Sequence, residues 1–186
     1  MFLQLLANGL VTGAVYAIAA VGVSLVYGIL RIVHFAYGDL MTFGAFVAVT
    51  FDTTLGLGMI VATAAAMVAA SALSVGLDFA LWRPLRARRA NFMSLFLASI
   101  GLALVLRQAI FLAWGPQPRA FDVDPFKVYT IGSVRLSGAQ VIAIVVAVVA
   151  IVLVGLLLSF TTLGRTMRAV ADDRSLAAVA GIDAGR

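Results

Sequence analysis

The sequence predicts an all-α fold, a polytopic helical membrane protein with about five transmembrane helices. Of its 186 residues, 63% are hydrophobic, and the mean hydropathy is +1.12. Charged residues make up 11%, against roughly 25% in a typical soluble domain. A water-soluble chain of this size cannot bury so much apolar surface. Several apolar runs approach the roughly 20 residues that a helix needs to cross a bilayer.

The apolar runs divide a single membrane-spanning domain, residues 1–186, into five predicted spans. These are residues 2–30, 32–55, 57–81, 91–114 and 138–160. The first run lacks a preceding basic region and a small-residue cleavage pattern, so we interpret it as a span and not as a signal peptide. Loop 115–137 holds most of the prolines, which disfavour a long helix. The sequence predicts a short hairpin there, in which Val128–Ile131 pairs with residues 134–136 and the turn lies at Gly132 and Ser133.

Basic residues set the predicted orientation. Arginines follow the first, third and fifth spans, which lie on one side of a five-span chain: Arg31, Arg83, Arg86, Arg88, Arg89, Arg165, Arg168 and Arg174. The positive-inside rule places this side in the cytoplasm, with the N-terminus and loop 115–137 outside and segment 161–186 inside. Since membrane orientation accounts for the net charge of +5, no nucleic-acid partner is expected.

Polar side chains of the first span share one helical face. At 100° per residue, an arc of about 160° holds Asn8, Thr12, Tyr16, Ser24 and Tyr27. Such a face either packs against neighbouring helices or lines a transport path, and the inner face of a bundle can do both. Asn8, Thr12 and Tyr16 are therefore candidates for a translocation path.

A polar cluster, RIVHFAYGDL, joins the first two spans and adds the path candidates His34, Tyr37 and Asp39. A helix from Asp39 to Asp52 covers only about 20 Å of a hydrocarbon core of about 30 Å. Either the crossing begins near residue 32, with Asp39 about 10 Å below the cytoplasmic surface, or it begins at Asp39 and submerges Asp52. An acid at that depth needs a partner. The predicted partners are His34, Tyr37 and Arg31.

Two other charges lie at or within the spans. Arg107 is expected to snorkel to the outer interface, with pairing inside the bundle as the alternative. Asp78 is expected to pair with Arg83 or Arg86. With one histidine, no cysteine, no glutamate and no P-loop, the sequence predicts no catalytic site, no metal site and no ATP hydrolysis in this chain.

The tail segment ADDRSLAAVAGI predicts a short helix. Asp172 or Asp173 can cap its start, Gly181 can take the left-handed position after its end, and Ile182 is the apolar residue that follows. The helix either lies flat on the bilayer or docks a cytoplasmic partner.

Three stretches, in order, resemble the permease subunits of branched-chain amino acid ABC importers. GILRIVHFAYGDLMTFGAFVA resembles the early motif Asn-Phe-Ala-His-Gly-Asp/Glu with its following Gly-Ala or Gly-Ser pair. LASIGLALVLRQAIFLAWGP resembles the Thr-Ile-Gly…Leu-Gln segment, and GRTMRAVADDRSLAAVAGIDAGR resembles the cytoplasmic coupling loop. His34 and Tyr37 stand where the family has Asn and His. Family members are longer, so the chain is expected to be the N-terminal part of a permease.

The resemblance implies an ATP-driven importer of amino acids in the cytoplasmic (inner) membrane of a bacterium or archaeon. The implied partners are membrane lipid, a second related permease, two cytoplasmic ATPases that bind ATP and Mg, and an extracytoplasmic solute-binding protein. It also implies that the tail helix couples to the ATPases, with these candidate residues: Asp172, Asp173, Arg174, Ala177, Gly181 and Ile182. Two alternatives remain: the same fold importing urea or short amides, and a membrane structural or assembly subunit without a transport path.

Overall fold

The computed structural model describes residues 2–30, 33–56, 58–88, 90–121, 128–131 and 134–181. The helices are α1 (Phe2–Leu30), α2 (Tyr37–Leu55), α3 (Gly58–Leu77), α4 (Arg83–Ala87), α5 (Phe92–Trp114), α6 (Gly138–Phe160), α7 (Thr162–Asp172) and α8 (Arg174–Val179). A π-helical segment, Asp78–Trp82, joins α3 to α4. Strands β1 (Val128–Ile131) and β2 (Val134–Ser137) precede α6.

The chain divides into two compact units, one of Met1–Arg31 with Val123–Arg186 and one of Ile32–Asp122. In the first unit α1 packs against α6, α7 and β2, and α7 packs against α6 and α8. In the second unit α2 packs against both α3 and α5.

Four described stretches are long and apolar enough to cross a membrane: Phe2–Gly28, Gly58–Ala87, Phe92–Trp114 and Gln140–Phe160. These helices make the chain an all-α, multi-pass membrane protein. The predicted span 32–55 differs from the other four. It becomes helical only at Tyr37, and Asp39, Asp52 and its threonines lower its hydropathy. The number of crossings and their orientation stay predictions.

Capping side chains fix the starts of two long helices. Asn91 accepts a hydrogen bond from the Ser94 N–H at 2.9 Å and begins α5. At α6, Ser137 accepts from the Gln140 N–H at 3.3 Å, and the Gln140 side chain accepts from the Ser137 N–H at 2.9 Å. This reciprocal capping box satisfies donors that a helix N-terminus otherwise leaves unpaired.

The predicted hairpin is confirmed. β1 and β2 pair antiparallel, with Val128 opposite Ser137 and Ile131 opposite Val134. Its second strand extends one residue further than predicted, to Ser137, which also caps α6. The predicted turn residues, Gly132 and Ser133, lie outside the described residues.

The apolar core of the second unit forms where α2 crosses α3. Val47 and Ala48 of α2 pack against Ala66 of α3, and Phe43, Phe51, Ala69, Trp114 and Phe121 surround them. Small alanines let these helices approach closely, as is common in membrane bundles. The indole N–H of Trp114 donates to the Thr50 hydroxyl at 2.7 Å, which ties the end of α5 to α2.

Candidate functional site

The segment that leads into α2 is not helical, and it packs against the first half of α5. The Phe35 N–H donates to the Ser99 hydroxyl at 2.5 Å, and the Phe35 ring meets the Phe96 ring edge-on at 5.3 Å. Ala36 and Ser99 are fully buried. Irregular backbone inside a membrane needs protein partners for its polar groups. The Ser99 hydroxyl is such a partner for the Phe35 N–H. This bond allows the non-helical residues before α2 to lie beside α5.

A buried carboxylate and an exposed guanidinium meet just after this segment. Arg107 Nε donates to Asp39 Oδ1 at 3.2 Å. The Asp39 side chain is 10% exposed, whereas that of Arg107 is 69% exposed. Asp39 also lies in the first turn of α2, where a negative charge is favourable at the positive end of the helix dipole. The pair therefore joins the start of α2 to the face of α5.

The position of Arg107 along α5 sets the depth of this pair. Arg107 follows Phe92 by 15 residues, so it lies about 22 Å along the axis from that end and about 10 Å from Trp114. Asp39 is paired well inside the length of α5, which favours a crossing in which Asp39 is submerged. The expected position of Asp39, about 10 Å below the cytoplasmic surface, stays a prediction.

Two of the three predicted partners of Asp39, His34 and Tyr37, were wrong. The structure pairs it with Arg107, not with His34 or Tyr37, and Arg31 lies outside the described residues. For Arg107, snorkelling to the interface was the first expectation and pairing with another helix was the alternative; the structure shows the pairing, since Asp39 accepts a hydrogen bond from its Nε. An acid in one span and a base in another are complementary charges, and such residues inside a membrane generally pair with one another. That complementarity is the sequence pattern that could have identified the pair.

His34 turns toward the π-helical segment. Its ring lies 5.1 Å from the ring of buried Trp82, at an interplanar angle of 52°. Its Nδ1 atom is buried and has no hydrogen-bond partner within the part of the chain that the structure describes. The His34 carbonyl accepts from the Tyr37 N–H at 3.2 Å and closes the turn before α2. Trp82 and Ser99 were not identified as site residues, because neither is charged and each resembles an ordinary packing residue in sequence.

Asp78 makes the predicted ion pairs with both arginines. Arg83 Nε lies 3.0 Å from Asp78 Oδ2, and Arg86 pairs with the other carboxylate oxygen. The Arg83 guanidinium also lies 3.9 Å from the centre of the Phe79 ring. These contacts fix the π-helical segment that carries Trp82.

The structure places the predicted path residues in different units. His34, Tyr37 and Asp39 lie together at the start of α2. Asn8, Thr12 and Tyr16 lie on α1 and are exposed within this chain. Thr12 donates to the Asn8 carbonyl at 3.1 Å, and Gln4 donates to the Asn8 side chain at 3.3 Å. Both readings of this face, packing and lining, stay predictions.

The tail contains a helix that the sequence analysis missed. α7 begins at Thr161, whose hydroxyl accepts from the Gly164 N–H at 3.0 Å and donates to the Leu157 carbonyl at 2.6 Å. A Cβ at Gly164 would lie 2.3 Å from the Leu158 carbonyl oxygen. Glycine is thus required for α7 to fold back on the end of α6. Leu163, Met167 and Val170 recur at the i, i+4, i+7 spacing of an amphipathic helix, which is the pattern that could have revealed it.

The second tail helix, α8, follows α7 directly. The Asp173 carboxylate accepts from the Leu176 N–H at 3.2 Å, as one of the two predicted caps, whereas exposed Asp172 is the last residue of α7. Arg174 is the first residue of α8, Ala177 is buried, and Gly181 has a φ of 81°, the left-handed value predicted for it. Ile182 lies outside the described residues. Leu176 and Val179 are 67% and 88% exposed.

Among the described residues, no group of three or more His, Cys, Asp or Glu side chains is placed to hold a metal ion. What the site offers is an ion pair between a buried carboxylate and an exposed guanidinium beside irregular backbone, and a tail of two helices with an exposed apolar edge.

Comparisons with known proteins agree with this architecture. A family model described as "Branched-chain amino acid transport system / permease component" matches residues 5–186. The chain is 30% identical, over 98% of its length, to the high-affinity branched-chain amino acid transport system permease protein BraD of Pseudomonas aeruginosa, and covers 63% of it. It is 26% identical over 100% of its length to LivH of Escherichia coli K12, of which it covers 64%.

A LivH protein of Salmonella typhimurium is 25% identical over 100% of the chain. The chain thus spans a little under two thirds of the length of these curated relatives. No solved structure gives a significant match.

Proposed function

The chain belongs to the family of branched-chain amino acid transport system permease components, and we propose that it forms part of the membrane pathway of an ATP-driven importer of branched-chain amino acids. The relatives BraD and LivH are named as permeases of such high-affinity systems. The observation that carries the proposal is this likeness over nearly the whole chain, from residue 5 to residue 186.

The Asp39–Arg107 pair supports a transport role for the second unit. Charged side chains inside a membrane are costly and generally face a bundle interior or a water-filled cavity. Asp39 is buried, but Arg107 is exposed at the surface of this chain. An exposed guanidinium about 10 Å from the end of α5 is more stable against water or a polar partner than against lipid tails. A pathway with water at this depth supplies that surrounding.

The tail supports coupling to a cytoplasmic partner. Gly164 and Thr161 hold α7 against the end of α6. Because this connection is short and packed, a displacement of the tail by a partner would also move α6. Exposed Leu176 and Val179 form an apolar edge on α8, which suits a cleft in another protein better than water. In the proposed importer this partner is an ATPase subunit. ATP and Mg bind there, a binding protein delivers the solute, and a second permease completes the pathway in the inner membrane.

The test is purification of the protein with its partners from its native membrane, followed by uptake measurements in proteoliposomes. We expect ATPase subunits to co-purify and leucine to accumulate only with ATP and the solute-binding protein. The double variant Leu176→Ser with Val179→Ser should lose the ATPase subunits, whereas Leu163→Ser, an exposed residue of α7, should retain them. Uptake of urea but not of leucine would overturn the proposed solute class. A chain that assembles with no ATPase would overturn the importer role.

A further inference from the structure

We propose that Arg107, positioned by Asp39, binds the carboxylate of the amino acid as it crosses the membrane. This inference rests on the proposed function and adds a residue and a chemical group to it. The sequence predicted either snorkelling or pairing inside the bundle for Arg107, and the predicted path residues do not include it. Asp39 holds the guanidinium of Arg107 at Nε, and the two Nη atoms stay open within the described part of the chain.

Asp39 uses only one edge of the Arg107 guanidinium. The carboxylate accepts from Nε, and within the described ranges no side chain or carbonyl accepts from either Nη atom. These outer N–H groups lie on an arginine side chain that is 69% exposed. A guanidinium presents its donors in a planar fork that matches a carboxylate in two parallel hydrogen bonds. The open edge is therefore suited to a second carboxylate.

The tether to Asp39 also prevents Arg107 from reaching the membrane surface. An arginine about 10 Å from a helix end lowers its cost by extending toward the interface. Here the Nε bond to a buried carboxylate draws the guanidinium toward the start of α2 instead. The donor fork is therefore held at the depth of the pair, about 10 Å from the end of α5, where a solute on the pathway can reach it.

The charge of the site fits an amino acid. Asp39 and Arg107 together carry no net charge, and an amino acid zwitterion carries none either, so binding introduces no unbalanced charge into the membrane. A free carboxylic acid would add a negative charge there, and a free amine would add a positive one; both are penalised at low dielectric. The hydrophobic side chain of the solute can face the apolar residues that neighbour Arg107 on α5, among them Leu104 and Phe111, both exposed.

The test uses the complete importer in proteoliposomes with leucine, ATP and the loaded binding protein. Leucine uptake and ATP hydrolysis are measured separately for Arg107→Gln, Arg107→Lys and the double variant Asp39→Asn with Arg107→Gln. We expect Arg107→Gln to lower uptake about 10- to 100-fold, the loss of a charged hydrogen-bonding group, while hydrolysis stimulated by the binding protein persists. Arg107→Lys should retain an intermediate rate, because a lysine keeps the charge but not the fork.

The double variant separates recognition from packing. It removes both charges, so it restores uptake if the pair only neutralises a buried acid, and this would overturn the proposal. Uptake that stays at the level of Arg107→Gln supports it.

Arg119→Gln is the control. It makes the same chemical change just beyond α5, where Arg119 donates to the Trp114 carbonyl at 3.3 Å, and it should transport like the wild type. Where Arg107→Gln does not assemble, the double variant and Arg107→Lys carry the test. A wild-type complex that takes up no amino acid refutes the proposed function itself, whereas wild-type rates in Arg107→Gln refute only the role of Arg107.

Discussion

Gly164 lies so close to Leu158 that a Cβ on the glycine would be 2.3 Å from the Leu158 carbonyl oxygen. The neighbours at this distance are backbone atoms, which cannot move aside as a flexible side chain can. Gly164→Ala should therefore shift α7 away from α6 and destabilise the tail by about 1–3 kcal/mol. Thermal unfolding of the detergent-solubilised protein measures this cost.

Gly155→Ala is the matched control for that change. Gly155 lies within α6, and a Cβ there meets nothing within 4 Å. Alanine at this position should leave the midpoint unchanged or raise it slightly, since alanine is the better helix former. Equal midpoints for the two variants would show that α7 does not pack on α6 as described.

Ser99→Ala should destabilise the second unit. The change leaves the Phe35 N–H without its acceptor beside fully buried Ala36. An unsatisfied buried donor costs about 1–3 kcal/mol. Ser94→Ala, an exposed position on the same helix, should cost little by comparison. The difference between the two midpoints in thermal unfolding gives the measurement, and no difference would contradict the described path of residues 33–36.

Thr50→Val should weaken the attachment of α5 to α2. The variant removes the hydroxyl that accepts from the Trp114 indole at 2.7 Å, a loss of about 0.5–1.5 kcal/mol. Trp114→Phe should cost a similar amount plus lost packing, and the double variant should cost less than the sum because the two residues share one bond. Thr53→Val is the control, since its hydroxyl donates only to the Val49 carbonyl of its own helix among the bonds described. Additive costs would argue against the bond.

Asp39→Asn should impair leucine uptake more than it lowers the amount of protein in the membrane. Asparagine keeps the size of the side chain and still accepts from Arg107, so packing is largely retained, but the charge that balances the arginine is lost. Uptake per amount of purified importer measures the effect. Equal losses of uptake and of membrane-inserted protein would make Asp39 a folding residue.

Asp173→Ala should loosen α8 without unfolding the membrane helices. The carboxylate caps the Leu176 N–H, and loss of such a cap costs about 1 kcal/mol. In the proposed importer, the variant should bind less ATPase, as measured by co-purification. Thr162→Ala is the control because Thr162 is an exposed residue at the start of α7 and is not a coupling candidate. ATPase binding that drops in the control but not in Asp173→Ala would move the docking contact to α7.

Hydropathy and capping patterns located most helices, because these depend on residues close in sequence. α1, α5 and α6 begin and end within a residue of the expected limits, and the hairpin before α6 was anticipated from its turn residues. The Asp78 pairs were also expected, since their arginines follow on the next turns.

Contacts between distant parts of the chain were harder to predict. Asp39 and Arg107 are 68 residues apart in the sequence. The packing of α2 on α5 brings them together. Ser99 carries no charge or motif that distinguishes it from other serines in apolar helices. α7 was not predicted, although Thr161 caps its start and Gly164 leaves room for it to fold back on α6.

The π-helical segment after α3 allows one residue to be removed without changing the face to which the following side chains point. A π turn holds one more residue than an α-helical turn. The side chains after it therefore point to the same face as in an α-helix that is one residue shorter. Deleting Ala80 should therefore leave Trp82 facing His34 and place Arg83 four residues after Asp78, a spacing at which α-helical ion pairs form. Rewinding the same residues as α-helix would instead turn Trp82 away by about 100°. A chain that lacks one residue here can thus still present the same aromatic face.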